Sequence, residues 1–541
     1  MRVLAAVALA AIVVPTASMS QSESIGVAYL CGAERRGPPG PEGLKILPGM
    51  GSGGFAIATK NPEAQVWFDY GIKLYHGFYH EEAKVAFDKA AGLDPACAMC
   101  AWGQALAHGS TMNYDADEGE IAKARDFAAK AASLTGSEND KNRGLIAAMQ
   151  ARMVGKAGDN GAYARAMNQL AAKYPEDKEI AVLDAHAALL QAARTNGFST
   201  IQATVAELER VLAKHPNDTA AIHYYIHATE FVGDAPKALP YAENLAKLAP
   251  DASHLVHMAA HTLIHVGRYE DVGVLNAAAI ATDSRFDGAM GYKRAPGQAF
   301  YYGHNYAFGL AGAMLAGDRA LTLKYVDHAP LAFTEAVPAD RRAGLTSRTF
   351  MALGRYDPER ALAVPEGPND SYLMKALRHY GRGEALASRA DAAGVRAELK
   401  AIRDLDRKKA PQPHTEMAAL AAQVLEGRAL MLSGDQKKAI GAYEKAARMQ
   451  DRFFRDSFDP PPWWYPVRRS VAAAELKAGR FRDAEADARE SLKGWPEDPL
   501  ALRVLSEAER GQGQAAKADA DLATARKLWR GELDRVSVDL I

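Results

Sequence analysis

The feature that most narrows what this chain can fold into is a spacing of 34 residues. Pro216 and Pro250 stand 34 apart, as do Gly233 and Gly267. The same spacing returns near the C-terminal end at Gly479 and Gly513 and at Ala484 and Ala518. A period of this length belongs to arrays of short helix pairs. With 541 residues, the chain is too long for one ordinary hydrophobic core, and a stacked array removes that difficulty. From Asn61 onward, helix-length apolar patterns alternate with short polar turns, and no long β-branched alternating run appears. Abundant Ala, Leu, Glu, Lys and Arg support the helical reading.

The residues inside the period identify the unit. Trp67, Tyr70, Gly71 and Leu74 form a bulky-bulky-small-bulky set on a first helix. Ala83, Phe87, Ala90 and Pro95 form a small-aromatic-small-terminator set on a second. The pattern recurs at Gly427, Gly434, Ala439, Tyr443 and Ala446. Small residues let two helices approach, an aromatic ring fills the space toward the next pair, and Pro ends the second helix. This is similar to the tetratricopeptide repeat (TPR). It predicts an all-α, TPR-type α-solenoid over residues 61–541, a right-handed superhelix of roughly ten helix pairs with a concave groove. The period drifts between Pro175 and Pro216, which predicts insertions there.

Ahead of the array, residues 1–20 read as a signal peptide. Arg2 supplies the positive charge, Leu4 to Val14 an apolar run too short to span a bilayer, and Ser18-x-Ser20 a cleavage site. Cys31 lies too far downstream to be a lipoprotein acceptor. Residues 21–60 form a Gly/Pro-rich extended segment. The expected location is periplasmic or secreted, without a stable membrane anchor. The net charge of -1 gives no whole-molecule reason to expect nucleic acid as partner.

Several stretches carry a more specific likeness. They are TKNPEAQVWFDYGIKLYHGFYHEEA (59–83), LDPACAMCAWGQAL (93–106), HYYIH (223–227), HLVHMAAHTLIHVGRYEDV (254–272), YYGHN (301–305) and WWYPVRRS (463–470). Together they resemble a largely uncharacterised family of exported bacterial TPR proteins with a relative in animals. The resemblance runs from about residue 50 to the end and implies a helical-repeat fold and export, but no established activity. After Gly109 the family pattern Gly-Pro-x-x-Asn is replaced by GSTMN, which puts any loop role there in doubt.

Six of the fifteen histidines fall between residues 223 and 265. In the 34-residue frame, His223 and His227 occupy positions 5 and 9 of one repeat, and His257 and His261 the same positions of the next. Residues four apart share one helix face, and in this repeat type those positions line the concave groove. Glu230 follows His227 by three and joins its face. Packed helices lie about 8–10 Å apart, so both pairs could converge on one ion. His254 and His265 flank the second pair, and His304 could close the site from a later helix. Neutral imidazoles with a carboxylate suit Cu, Zn or Fe. Each ligating ring would need an acceptor on its other nitrogen. The spacing is not HExxH, so the zinc-protease argument does not transfer.

Three functions fit this pattern. One is a metal-binding protein with His223, His227, Glu230, His257, His261 and His304 as ligands. A second is a metal-dependent enzyme with an open coordination position. A third is a scaffold whose groove holds a protein or peptide partner, with the histidines as polar contacts. Single buried histidines satisfied by a carbonyl or a Tyr hydroxyl are the bland alternative. Cys97 and Cys100 form a CxxC at a helix start, fit for a redox pair or a local disulfide; Ala101 where haem attachment needs His excludes that use. Trp463, Trp464 and Tyr465, after three prolines, suit packing more than a binding wall. Of the remaining histidines, His76 could reach the groove, while His80 and His108 carry no site expectation. No phosphate loop or GxSxG elbow is present.

Overall fold

The computed structural model describes residues 43–195, 197–293, 302–332, 339–408, 410–454 and 461–541. The signal-peptide reading and Cys31 lie outside the described residues. Among those described, there are helices and turns and no strand.

The array begins with α1 (Pro62–His76) and α2 (His80–Leu93), then α3 (Ala98–His108) with α4 (Glu118–Ser133), α5 (Asp140–Arg152) with α6 (Asn160–Lys173), and α7 (Lys178–Thr195) with α8 (Gln202–Lys214). The centre holds α9 (Thr219–Phe231) and α10 (Leu239–Leu248), α11 (Ser253–His265) and α12 (Tyr269–Met290), and α13 (Tyr302–Leu315) and α14 (Arg319–Ala332). The second half adds α15 (Ala339–Tyr356), α16 (Pro358–Ala363), α17 (Tyr372–Ser388), α18 (Ala392–Asp404), α19 (Gln412–Leu432) and α20 (Gln436–Phe453). It closes with α21 (Arg468–Lys477), α22 (Phe481–Gly494), α23 (Pro499–Gly511) and α24 (Ala515–Leu528).

The chain is thus a TPR-type α-solenoid, with twenty-four helices among the described residues, one of them, α16, only six residues long. The local reasons are those the repeat demands. A Cβ on Gly71 or Gly103 would meet the Phe87 ring at 2.6 and 2.3 Å, so Phe87 is clamped between two glycines of successive first helices. Gly233, Gly267, Gly479 and Gly513 all have φ between 73° and 79°, the left-handed turn that follows each first helix. The drift before Pro216 comes from α7, which runs 18 residues where α9 and α11 run 13.

The Gly-rich residues before α1 do more than lead into the array. They form a strap across α1, α9, α11 and α12. Tyr70 donates from its hydroxyl to Lys45 O, Gly49 N donates to Asp251, Asp251 N donates back to Gly49 O, and Ser52 N donates to Thr219 Oγ1. Leu44 and Met50 are buried beneath it. Gly51 has φ 94°, and a Cβ there would stand 2.4 Å from Thr219 Oγ1, so only glycine fits. The C-terminal repeats also dock on the centre: Arg530 N donates to Ala316 O and Tyr269 donates from its hydroxyl to Pro496 O.

Candidate functional site

The site starts with two helices in identical register. α9 begins at Thr219 and α11 at Ser253, which preserves the 34-residue frame. Asp218 caps α9 by accepting from Ala221 N. The first amide of α11 donates instead to the Tyr79 hydroxyl from the α1–α2 turn. His223, His227, His257 and His261 therefore project as matched pairs.

They do not line an open groove, and this corrects the sequence reading. All four are buried, as are His254 and His304. The reason is that aromatic rings from the α1–α2 turn and from α13 fill the face. Phe78 lies 4.4 Å from the His223 ring, 4.8 Å from His254 and 6.0 Å from His227. Phe308 lies 4.9–5.1 Å from His257, His261 and His304. A peptide in a groove would not touch these imidazoles.

The histidines also do not converge on one centre. They divide into His223, His227 and His254, and His257, His261 and His304. Within each triad the ligand-capable atoms lie within 4.8 Å of one another. The division follows the repeat. Each pair on one first helix is completed by a histidine near the start of the next first helix: His254 on α11, His304 on α13. His254, expected only to flank, is thus a full member of a triad. Its signal was available, since it stands one turn before His257 and faces the preceding repeat.

Hydrogen bonds orient the rings. His223 Nδ1 lies 2.7 Å from the carbonyl of His76, an orphan acceptor at the end of α1. His257 Nδ1 lies 2.6 Å from Asn276 Oδ1, and Asn276 Nδ2 donates to Val272 O, which sets the amide orientation. His261 Nδ1 lies 3.0 Å from Glu230. Glu230 belongs to neither triad, so it backs a ring instead of joining the imidazoles at the centre. It also pairs with His265 at 3.4 Å.

These partners leave the Nε2 atoms facing inward. His257 Nε2 and His261 Nε2 are 3.0 Å apart, as are His223 Nε2 and His254 Nε2. His227 Nε2 is buried without a hydrogen-bond partner. Burial pushes His223, His254 and His257 well below the ordinary imidazole range, and His227 to about 3. Burial also opposes the charge on Glu230, but His261 and then His265 outweigh it and hold the carboxyl below its usual range. Burial thus favours the neutral form of His223, His227, His254 and His257, the form a metal requires.

The other expectations resolve locally. Cys97 and Cys100 are joined in a buried disulfide at the start of α3. His76 is buried and bonds the Tyr224 hydroxyl at 3.0 Å, and His186 bonds Tyr75 at 3.2 Å. His108 pairs with Glu120 at 2.8 Å. The GSTMN stretch is held by Arg152 and Arg194, which donate to Ser110 O and Thr111 O. Trp463, Trp464 and Tyr465 are buried, and Trp463 shares with Trp495 the wall of a cleft of about 350 Å³. No described helix is long and apolar enough to cross a membrane.

No family model and no curated protein matches the chain. Among solved structures, human IFIT1 as a dimer with m7Gppp-AAAA aligns at 14% identity and a TM-score of 0.30, over 87% of this chain and 91% of that one. The P58(IPK) TPR domain aligns at 13% identity and a TM-score of 0.22, over 66% of this chain and 95% of that one. At such scores the likeness says nothing about what this chain binds.

Proposed function

We propose that this chain is a metal-binding TPR protein whose solenoid encloses a transition ion on His257, His261 and His304. The observation that carries the reading is the facing pair of Nε2 atoms. Asn276 Oδ1 and the Glu230 carboxylate each engage an Nδ1, so both Nδ1 atoms carry protons. In neutral rings the two Nε2 lone pairs then point at each other across 3.0 Å. Two lone pairs at that distance repel unless a proton or a metal ion lies between them or beside them. A transition ion is the cation that three neutral imidazoles suit.

Export fits this reading. The Cys97–Cys100 disulfide is stable in an oxidising compartment, and the resemblance to exported bacterial TPR proteins points the same way. A scaffold role has its own support in the Trp463–Trp495 cleft, which lies apart from the histidines and leaves room for a peptide partner.

The test is elemental analysis of untagged full-length protein beside a His257→Ala/His261→Ala double variant. Copper, zinc or iron is expected in the parent chain and at much lower content in the variant. Equal content in both would reject the site. A metal-free parent that also fails to take up added Cu or Zn would mean the rings share a proton rather than an ion.

A further inference from the structure

We infer that the second triad holds a second ion beside the first, and that the two form a coupled copper pair whose substrate is dioxygen. This rests on the metal reading above. The structural basis is the contact between the triads. Ring centroids within the triads are 4.6–6.4 Å apart. Between them, His227 and His261 are 5.5 Å apart and His254 and His257 5.9 Å. The triads therefore abut ring on ring. Ions on these adjoining triads would make a two-metal site, and the inference is that one small ligand reaches both.

Each triad also offers what an ion needs. The first has His223 oriented by the His76 carbonyl and His227 Nε2 buried without a partner. The second has the facing Nε2 atoms of His257 and His261. Three ligands on each ion leave a coordination position for an exogenous molecule.

Charge selects the metal. Six imidazole ligands bring no negative charge, and the carboxylate attached to the cluster is Glu230, one ring away. Two divalent ions would place four positive charges among Phe78, Phe308 and buried helix faces, and burying charge is costly. Two copper(I) ions place two. Imidazole suits copper, and copper(I) accepts three-coordinate geometry.

The same count points to the substrate. Dioxygen is small and uncharged, so it adds no charge on entering. Each copper(I) gives up one electron, both become copper(II), and the two electrons reduce dioxygen to the level of peroxide, with the O–O bond kept as a single bond. The ions gain two positive charges and the bound oxygen gains two negative ones. The total charge enclosed by the apolar shell is unchanged, and no proton or outside reductant is required for that step.

The experiment uses the full chain, freed of metal and loaded with copper(I) without oxygen. Parent, His304→Gln and His227→Gln proteins are compared, with circular dichroism to verify equal helicity. Two copper ions per parent chain and one per variant are expected. On admitting oxygen, the parent should oxidise both ions together and show no ordinary copper(II) electron paramagnetic resonance signal, because the paired spins cancel. The variants, with isolated ions, should show that signal when oxidised chemically. One copper per parent chain, or two with a full uncoupled signal after oxygen, overturns the pair while leaving the single-ion reading intact. Two zinc ions bound in preference to copper overturns the choice of metal. No uptake of any ion overturns both readings. If the variants lose helicity, Phe308→Leu, which leaves all six imidazoles in place, should retain two copper ions, and retention of one would count against the pair.

Discussion

Substitution of Glu230 separates two chemical roles by their size. As a ligand, its loss would strip an ion of direct coordination. As the acceptor behind His261 Nδ1, at 3.0 Å, it sets that ring's tautomer and raises its basicity. Partners of this kind change metal affinity by about 10–100-fold, which is about 1.4–2.7 kcal/mol. Glutamine retains an acceptor oxygen and removes the charge, so Glu230→Gln should weaken zinc binding by about tenfold. Leucine removes both, so Glu230→Leu should approach 100-fold. The assay is competition against a chromophoric chelator near neutral pH, with melting temperature checked on each metal-free protein. A Gln variant that binds like the parent would refute the proposed charge contribution. A Gln variant that binds no ion would return Glu230 to the direct-ligand role that its sequence position suggested.

Three further outcomes follow from the same structure. His76, His80 and His227 are buried with values depressed to about 4, 3 and 3, from an ordinary 6.5. The unfolded chain therefore takes up protons that the folded one refuses, and stability present above pH 6.5 is lost as pH falls toward those depressed values. From about pH 7 to about pH 5.5 each such group costs about 1.2 kcal/mol, so these three cost roughly 4 kcal/mol; a melting temperature of the metal-free protein that does not fall over this interval would contradict their neutrality. Phe78 holds φ 61° at the turn where other repeats have glycine, with its ring against His223 and His254. Phe78→Gly relieves about 1–2 kcal/mol of backbone strain but gives up about 3–5 kcal/mol of aromatic burial. It should therefore lower stability and speed metal release to a chelator, and an unchanged release rate would show that the ring does not cap the triad. Replacing both Cys97 and Cys100 by Ala opens a very short loop and should cost about 2 kcal/mol in denaturant melts while leaving metal content intact.

What could be read from the sequence was whatever repeats. Gly233 with Gly267 and Gly479 with Gly513 announced the left-handed turns, and Gly71 with Phe87 announced close helix approach. The same frame placed His223, His227, His257 and His261 in matched register. Segments such as α15 and α17 were harder to read, since they meet through backbone contact at Gly354 and Gly381. The burial of the histidines was hidden for a related reason. Phe78 and Phe308 reach the site from outside the two repeats that carry the pairs. Periodicity describes neighbours along the array, whereas these contacts join elements far apart in it. Glu230 shared the face of His227 by spacing, but its length carries it across to His261 on the next helix.

The strap changes what kind of object the array is. Open repeat arrays are modular: their stability is close to a sum over neighbours, and units can be added or lost at little cost elsewhere. Here Ser52 is bonded to a residue 167 positions away, Gly49 to one 202 away and Lys45 to one 245 away. Those bonds stitch the leading segment to the middle of the chain. A repeat duplicated between α2 and α9 would displace every stitch at once. The length of that stretch is therefore held fixed, as in a laced seam whose eyelets must align.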